Sequence, residues 1–179
     1  MNLTKLFETQ RVLRNRINYN GGDRLDKLTL ASLVEAGECA NEHRGFKFWS
    51  KNQSPRTRVA RGPYMDIEDA DFYNPLLEEY VDKFHFILEQ GIELGFDKTF
   101  IFFDESNVKT HTYDNITVQY IWIFHSTVET WMHRDQDKYE VLFYEFIALG
   151  EMLGFTWEEI EQAYYAKNQV NHQRQEAGY

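Results

Sequence analysis

One cysteine, Cys39, in 179 residues excludes an intramolecular disulfide. With no CxxC pair and no clustered Cys/His spacing, the sequence offers no zinc site, and a reducing cytoplasm is the compartment this favours. No run of about 18 apolar residues occurs. The N-terminal stretch MNLTKLFETQRVLRNRI alternates apolar with charged residues and has no signal-peptide core, so the expectation is a chain that does not span a membrane. Basic residues are few: 19 Lys and Arg stand against 29 Asp and Glu, a net charge of −10. That balance argues against a partner held by many phosphate contacts, such as a nucleic-acid polymer, and means that any bound phosphate is best approached through a metal. Proline is also scarce, at three residues, which leaves long stretches free to be helical.

What is present is apolar periodicity and an excess of aromatics. A hydrophobic content of 42% in a chain of this length predicts one domain over 1–179 with a sizeable core. Repeats of period 3.6 predict an all-α bundle, with helices over 3–18, 29–44, 75–94, 116–133 and 139–153 and a last helix from Thr156 towards Gly178. Thr29 reads as the N-cap of the second helix and Gly45 as its stop. Asn74 and Pro75 read as N-cap and first turn of the third, Gly95 as its end, and Thr156 with Glu159 as a capping box. Residues 52–70 form a long aperiodic loop, a lid candidate, and TFIFFDE (99–105) reads as a strand-like piece or a buried linker. The helix over 116–133 is apolar nearly all round, so the segment 98–135 is expected to be an insert or a contact between two copies of the chain.

Acids recur at one-turn spacing on two helices. On the second, Glu35, Glu38 and Glu42 flank an apolar arc of Leu30, Leu33, Val34, Gly37 and Ala40 that is expected to be buried. On the third, Glu79 and Asp82 lie outside the apolar arc, with Phe86 between them on the helical wheel. Like charges at this spacing repel by a few tenths of a kcal/mol (about 0.2–0.5), and a solvated acidic face is the simplest account of either pair alone. Two pairs on two helices are different: facing each other, they supply four hard oxygen ligands of the kind Mg²⁺ takes when it also binds substrate phosphates. The cation would in turn keep them ionised.

Other residue types complete a pocket. Gln10 sits within an apolar stripe of Leu3, Leu6, Phe7, Leu13 and Ile17, either as a core amide satisfied by its surroundings or as a reader of a base edge. Lys167, Asn171 and Arg174 form a stripe of donors on the last helix, suited to phosphate oxygens. Lys47 stands beside the acids in FKFW, among Phe46, Phe48 and Trp49. The six histidines show no mutual ligand spacing and read as surface or core residues.

This constellation resembles the all-α dimeric dUTPases, relatives of the MazG-type nucleoside triphosphate pyrophosphohydrolases. The matching positions are ExxE (Glu35, Glu38), ExxD (Glu79, Asp82), the helix-one glutamine, FKFW, the His85-Phe86 pair and the terminal KNxxNxxRQxxGY. The resemblance implies hydrolysis of dUTP to dUMP and pyrophosphate, two or more Mg²⁺ ions and a homodimer. It makes Glu35, Glu38, Glu79 and Asp82 metal ligands, with Glu38 also the base for the attacking water. Lys47, Lys167, Asn171 and Arg174 would hold phosphates, Gln10 would read uracil, Phe86 would stack near it, and Trp49 would close the pocket. Tyr179 fits the family's terminal GY. A MazG-like enzyme of other base specificity would keep the acids without needing Gln10, Phe86 or the tail. A non-enzymatic helical interaction protein would account for neither acid pair.

Overall fold

The computed structural model describes residues 1–62 and 70–178. Residues 63–69, in the latter part of the 52–70 loop, and Tyr179 therefore lie outside the described residues. The helices are α1 (Leu3–Ile17), α2 (Arg24–His43), α3 (Pro75–Leu94), α4 (Ser106–Thr110), α5 (Ile116–His133), α6 (Gln136–Met152) and α7 (Trp157–Glu176). A two-residue antiparallel pair, β1 (Val59–Ala60) with β2 (Phe72–Tyr73), is the strand structure among the described residues. The architecture is all-α, as the periodicity predicts.

α3 is the central element, packed against α2, α1, α6 and α7, while α5 packs on α6 and α2. Its start follows from local chemistry: Asn74 accepts from Leu77 N at 3.1 Å and Pro75 takes the first turn. Gly95 ends it in the left-handed region at φ 80°. The Thr156–Glu159 capping box that opens α7 is formed in both directions. The apolar arc of α3 is buried as expected, through Leu76, Tyr80, Val81, Phe84, Ile87 and Leu88. Tyr80 stacks on Phe146 of α6 with centroids 4.2 Å apart, and its hydroxyl donates to the Phe146 carbonyl at 3.0 Å. A buried phenol thus contributes area without leaving its polar end unsatisfied.

Three readings of the sequence need correction. α2 begins at Arg24, not near Thr29, whose hydroxyl is buried and accepts from Gln90 Nε2 at 3.1 Å. Its end is taken by Arg44, at φ 66°, ahead of Gly45. The buried face of α2 is also not the Leu30 arc. Thr29, Ser32, Ala36 and Cys39 are buried, whereas Leu30 is 66% and Val34 49% exposed. The small and hydroxyl-bearing side chains let α2 approach α3 closely, and buried partners compensate their polarity, which periodicity of apolar residues cannot detect. Of the two readings of TFIFFDE, the linker holds: the segment is irregular, with Phe100 buried, Phe103 partly buried against the core, and Ile101 and Phe102 exposed.

Gly150 of α6 marks a close approach in the core, since a Cβ there would sit 2.5 Å from the Tyr80 hydroxyl and 2.9 Å from its ring. Tyr80 is fully buried and held by its hydrogen bond, so it cannot yield. Gly150→Ala is expected to destabilise the fold by about 1–3 kcal/mol despite alanine's higher helix propensity. A urea titration showing an equal or higher midpoint would contradict this packing.

Candidate metal centre and adjoining cavity

The close α2–α3 packing brings the two acidic helix edges together. Carboxylate oxygens of Glu35, Glu79 and Asp82 all lie within 4.8 Å of one another, each side chain partly buried. Burial raises Glu35 to about 7, helped by the charges of Asp82 and Glu38, and burial with Asp82, Glu38 and Glu35 does the same to Glu79. Burial also raises Asp82, against the opposing pull of Lys167. Three oxygen donors crowded in this way form a set that a hard divalent cation fits, since it supplies the missing positive charge and accepts carboxylate ligands.

Glu38 lies one turn beyond Glu35 at an exposed position outside the close trio, though its charge acts on both Glu35 and Glu79. The wheel explains the difference: Glu35 borders the buried Ser32–Cys39 face, and Glu38 is rotated towards solvent. Glu42 is engaged elsewhere, by Arg56 Nη1 at 2.8 Å.

A cavity of about 490 Å³ opens beside the acids between α1, α2, α3 and α7. Gln10, Glu35, Asp82, Phe86, Asn171 and Arg174 all line it, so six residues singled out in the sequence meet there. Gln10 is buried and largely committed: Nε2 donates to Glu89 Oε1 at 2.9 Å, and Oε1 accepts from Tyr164 at 3.0 Å. Lys167 bridges Asp82 Oδ2 at 2.6 Å and Glu78 Oε1 at 3.0 Å, so it adjoins the acids as an ion-pair partner. Lys47 and Trp49 are not among the cavity's lining residues. Lys47 donates to the Asn41 carbonyl at 3.3 Å, and Trp49, 66% exposed, meets Phe46 and Phe48 edge-on.

Several residues of this region escape a reading by spacing. Lys83 is fully buried behind the acids, donating to Ser32 Oγ at 2.9 Å and Thr127 Oγ1 at 3.2 Å, which ties α3 to both α2 and α5. Burial pushes its amine down to about 7. Arg14 pairs with Glu89 at 2.9 Å and also with Glu93, forming the back wall. His85, on α3, is buried against Tyr164. A lysine bordering the apolar arc of α3 was the available signal for Lys83. His85 was marked by its place in the His85-Phe86 pair of the resemblance and by no helical period.

Both raised acids bind more protons folded than unfolded, so without metal they lower stability as pH rises from 4.5 through about 7. A bound cation displaces those protons. Divalent cation added near pH 7 is expected to release about one proton per chain, declining at higher pH, as read by calorimetry in buffers of different ionisation enthalpy. Binding without proton release would show that the acids are already ionised.

A family model described as dUTPase matches residues 2–179. No curated protein matches the chain.

Proposed function

Because the chain belongs to the all-α dUTPase family, its chemistry is hydrolysis of dUTP to dUMP and pyrophosphate, and we propose that Glu35, Glu79 and Asp82 hold the metal it uses, two or more Mg²⁺ ions. The observation that carries this reading is the convergence of three carboxylates, with protonation raised by burial and by neighbouring negative charge, beside a cavity of nucleotide size. When bound, Mg²⁺ supplies Lewis-acid neutralisation of phosphate charge and makes water a better nucleophile. Glu38, exposed next to the trio, accepts the proton of the attacking water and completes the ligand set. Asn171 and Arg174 bind phosphate oxygens from α7, Arg174 with its forked donors. Lys167, now paired with Asp82 and Glu78, shifts its bonds towards phosphate when the acids are otherwise satisfied. Lys47 and Trp49 complete the phosphate end and close the pocket by moving in on the substrate from the exposed FKFW turn.

At the other end of the cavity Phe86 offers its face to the base. Gln10 keeps one amide N–H beyond the one it gives to Glu89, a donor for a uracil carbonyl. dUTP is therefore preferred over dCTP and dTTP, which sets this reading apart from a broad MazG-like pyrophosphohydrolase.

The working form is a homodimer of one-domain chains in the cytoplasm. Among the described residues, no helix is long and apolar enough to cross a membrane. Yet Leu30 and Val34 on α2 and Ile121, Trp122, Trp131 and Met132 on α5 are exposed, and a small groove lined by Leu30, Leu33, Val128 and Trp131 joins the two helices. A patch of this composition on a chain of net charge −10 is covered most simply by a second copy, with 98–135 as the contact region.

Mg²⁺-dependent release of pyrophosphate from a panel of nucleotides tests the activity. Glu38→Gln is expected to abolish turnover while helical circular dichroism is retained, and full activity would remove Glu38 from the mechanism. For assembly, light scattering is expected to give twice the 21.4 kDa chain mass, and a stable monomer at micromolar concentration would contradict the contact region.

A further inference from the structure

One run of the chain reverses its charge. Residues 44–61 carry Arg44, Lys47, Lys51, Arg56, Arg58 and Arg61 and no acid, in a protein of net charge −10. The fold pins this run beside the metal centre. Arg56 N donates to the Glu42 carbonyl at 3.0 Å, the Arg56 carbonyl accepts from Leu76 N at 3.2 Å, and β1 pairs with β2 just ahead of α3. The run therefore passes from the end of α2 to the start of α3, the two helices that supply the acids.

Its arginines are not equivalent. Arg56 closes an ion pair with Glu42 at 2.8 Å, and Arg58 lies over the Phe72 ring, 3.6 Å from its centroid. Arg61 sits over the Tyr73 ring at 4.5 Å and pairs with Glu78 at 3.8 Å, beyond hydrogen-bond reach, and among the described residues its guanidinium makes no hydrogen bond. The ring supports the face of the fork and leaves its N–H groups available. Glu78 is also the acid that Lys167 holds at 3.0 Å, so one carboxylate faces two cations. The other bond of Lys167, 2.6 Å to Asp82, goes to a proposed metal ligand. Once a metal takes Asp82, Lys167, Glu78 and Arg61 remain as a group of net positive charge.

Position along α3 says what that group faces. Phe86 marks the base end of the cavity, Asp82 and Glu79 belong to the metal centre, and Glu78 lies one turn past Asp82, about 6 Å along the axis, on the side away from the base. A triphosphate running from the base across the metal ends there. We propose that Arg61, with Lys167, forms the subsite for the distal phosphates of the substrate, the pair that leaves as pyrophosphate, with Glu78 holding both cations in place until the anion arrives. The inference rests on the proposed reaction, from which it takes the base end and the metal end. Arg61 supplies forked donors to a group bearing several negative charges, and its 57% exposed side chain suits a product that departs into solvent.

The test titrates pyrophosphate and, separately, dUMP into the wild type and Arg61→Gln in a calorimeter with Mg²⁺ present. Arg61 is largely exposed, so the variant keeps the fold. Pyrophosphate affinity is expected to fall by about tenfold, while dUMP, which lacks the distal phosphates, binds as before. Arg61→Lys keeps the charge without the fork and is expected to fall between the two. A wild type that does not bind pyrophosphate, an unchanged pyrophosphate affinity in Arg61→Gln, or an equal loss for both ligands overturns the subsite. The equal loss is what a merely structural role produces. Turnover separates this inference from the proposed reaction: a wild type that releases no pyrophosphate from dUTP overturns both, whereas an active wild type whose pyrophosphate affinity is indifferent to Arg61 overturns the subsite alone.

Discussion

Close approach of α2 to α3 is the constraint on which the rest of this structure depends. It sets carboxylates from two helices within 4.8 Å of one another, an arrangement that mutual repulsion opposes and that a folded scaffold must enforce. The enforcement is visible in what lies behind the acids. Small or hydroxyl-bearing residues, Ser32, Ala36 and Cys39, form the buried face of α2, and Lys83 reaches across from α3 to Ser32 and to Thr127 of α5. A buried amine at that point places a donor, and in part a positive charge, behind a cluster of negative ones.

The same packing divides α2 into three working faces. One binds α3 through small side chains, one carries the acids into the cavity edge, and one leaves Leu30 and Val34 in solvent. An ordinary amphipathic helix has two faces. The third is why the apolar arc seen in the sequence is not the buried one, and why an interface with a second chain belongs to the proposed assembly.

Legibility followed the physics of each feature. Caps were readable because their chemistry is local: Asn74-Pro75, Gly95 and the Thr156–Glu159 box all form as their residue types dictate. The acids, Gln10, Phe86, Asn171 and Arg174 were readable because one-turn spacing puts them on definable edges, and the fold brings all of these but Glu38 and Glu42 to the trio or the cavity wall. The start of α2 was not, because Thr29 serves as a buried acceptor for Gln90 and not as a cap. Nor was the wall formed by His85, Glu89 and Arg14, whose hydrogen bonds join α1 to α3 over about 75 residues of sequence; a contact between distant segments leaves no local period to detect.

The central claim is that Glu35, Glu79 and Asp82 form a divalent metal centre. Anomalous diffraction from crystals soaked in Mn²⁺ tests it most directly, because Mn²⁺ takes the same oxygen ligands as Mg²⁺ and scatters anomalously. The account predicts strong anomalous peaks within coordination distance of these carboxylates. Crystals that take up Mn²⁺ elsewhere while leaving the three acids without a peak would contradict it.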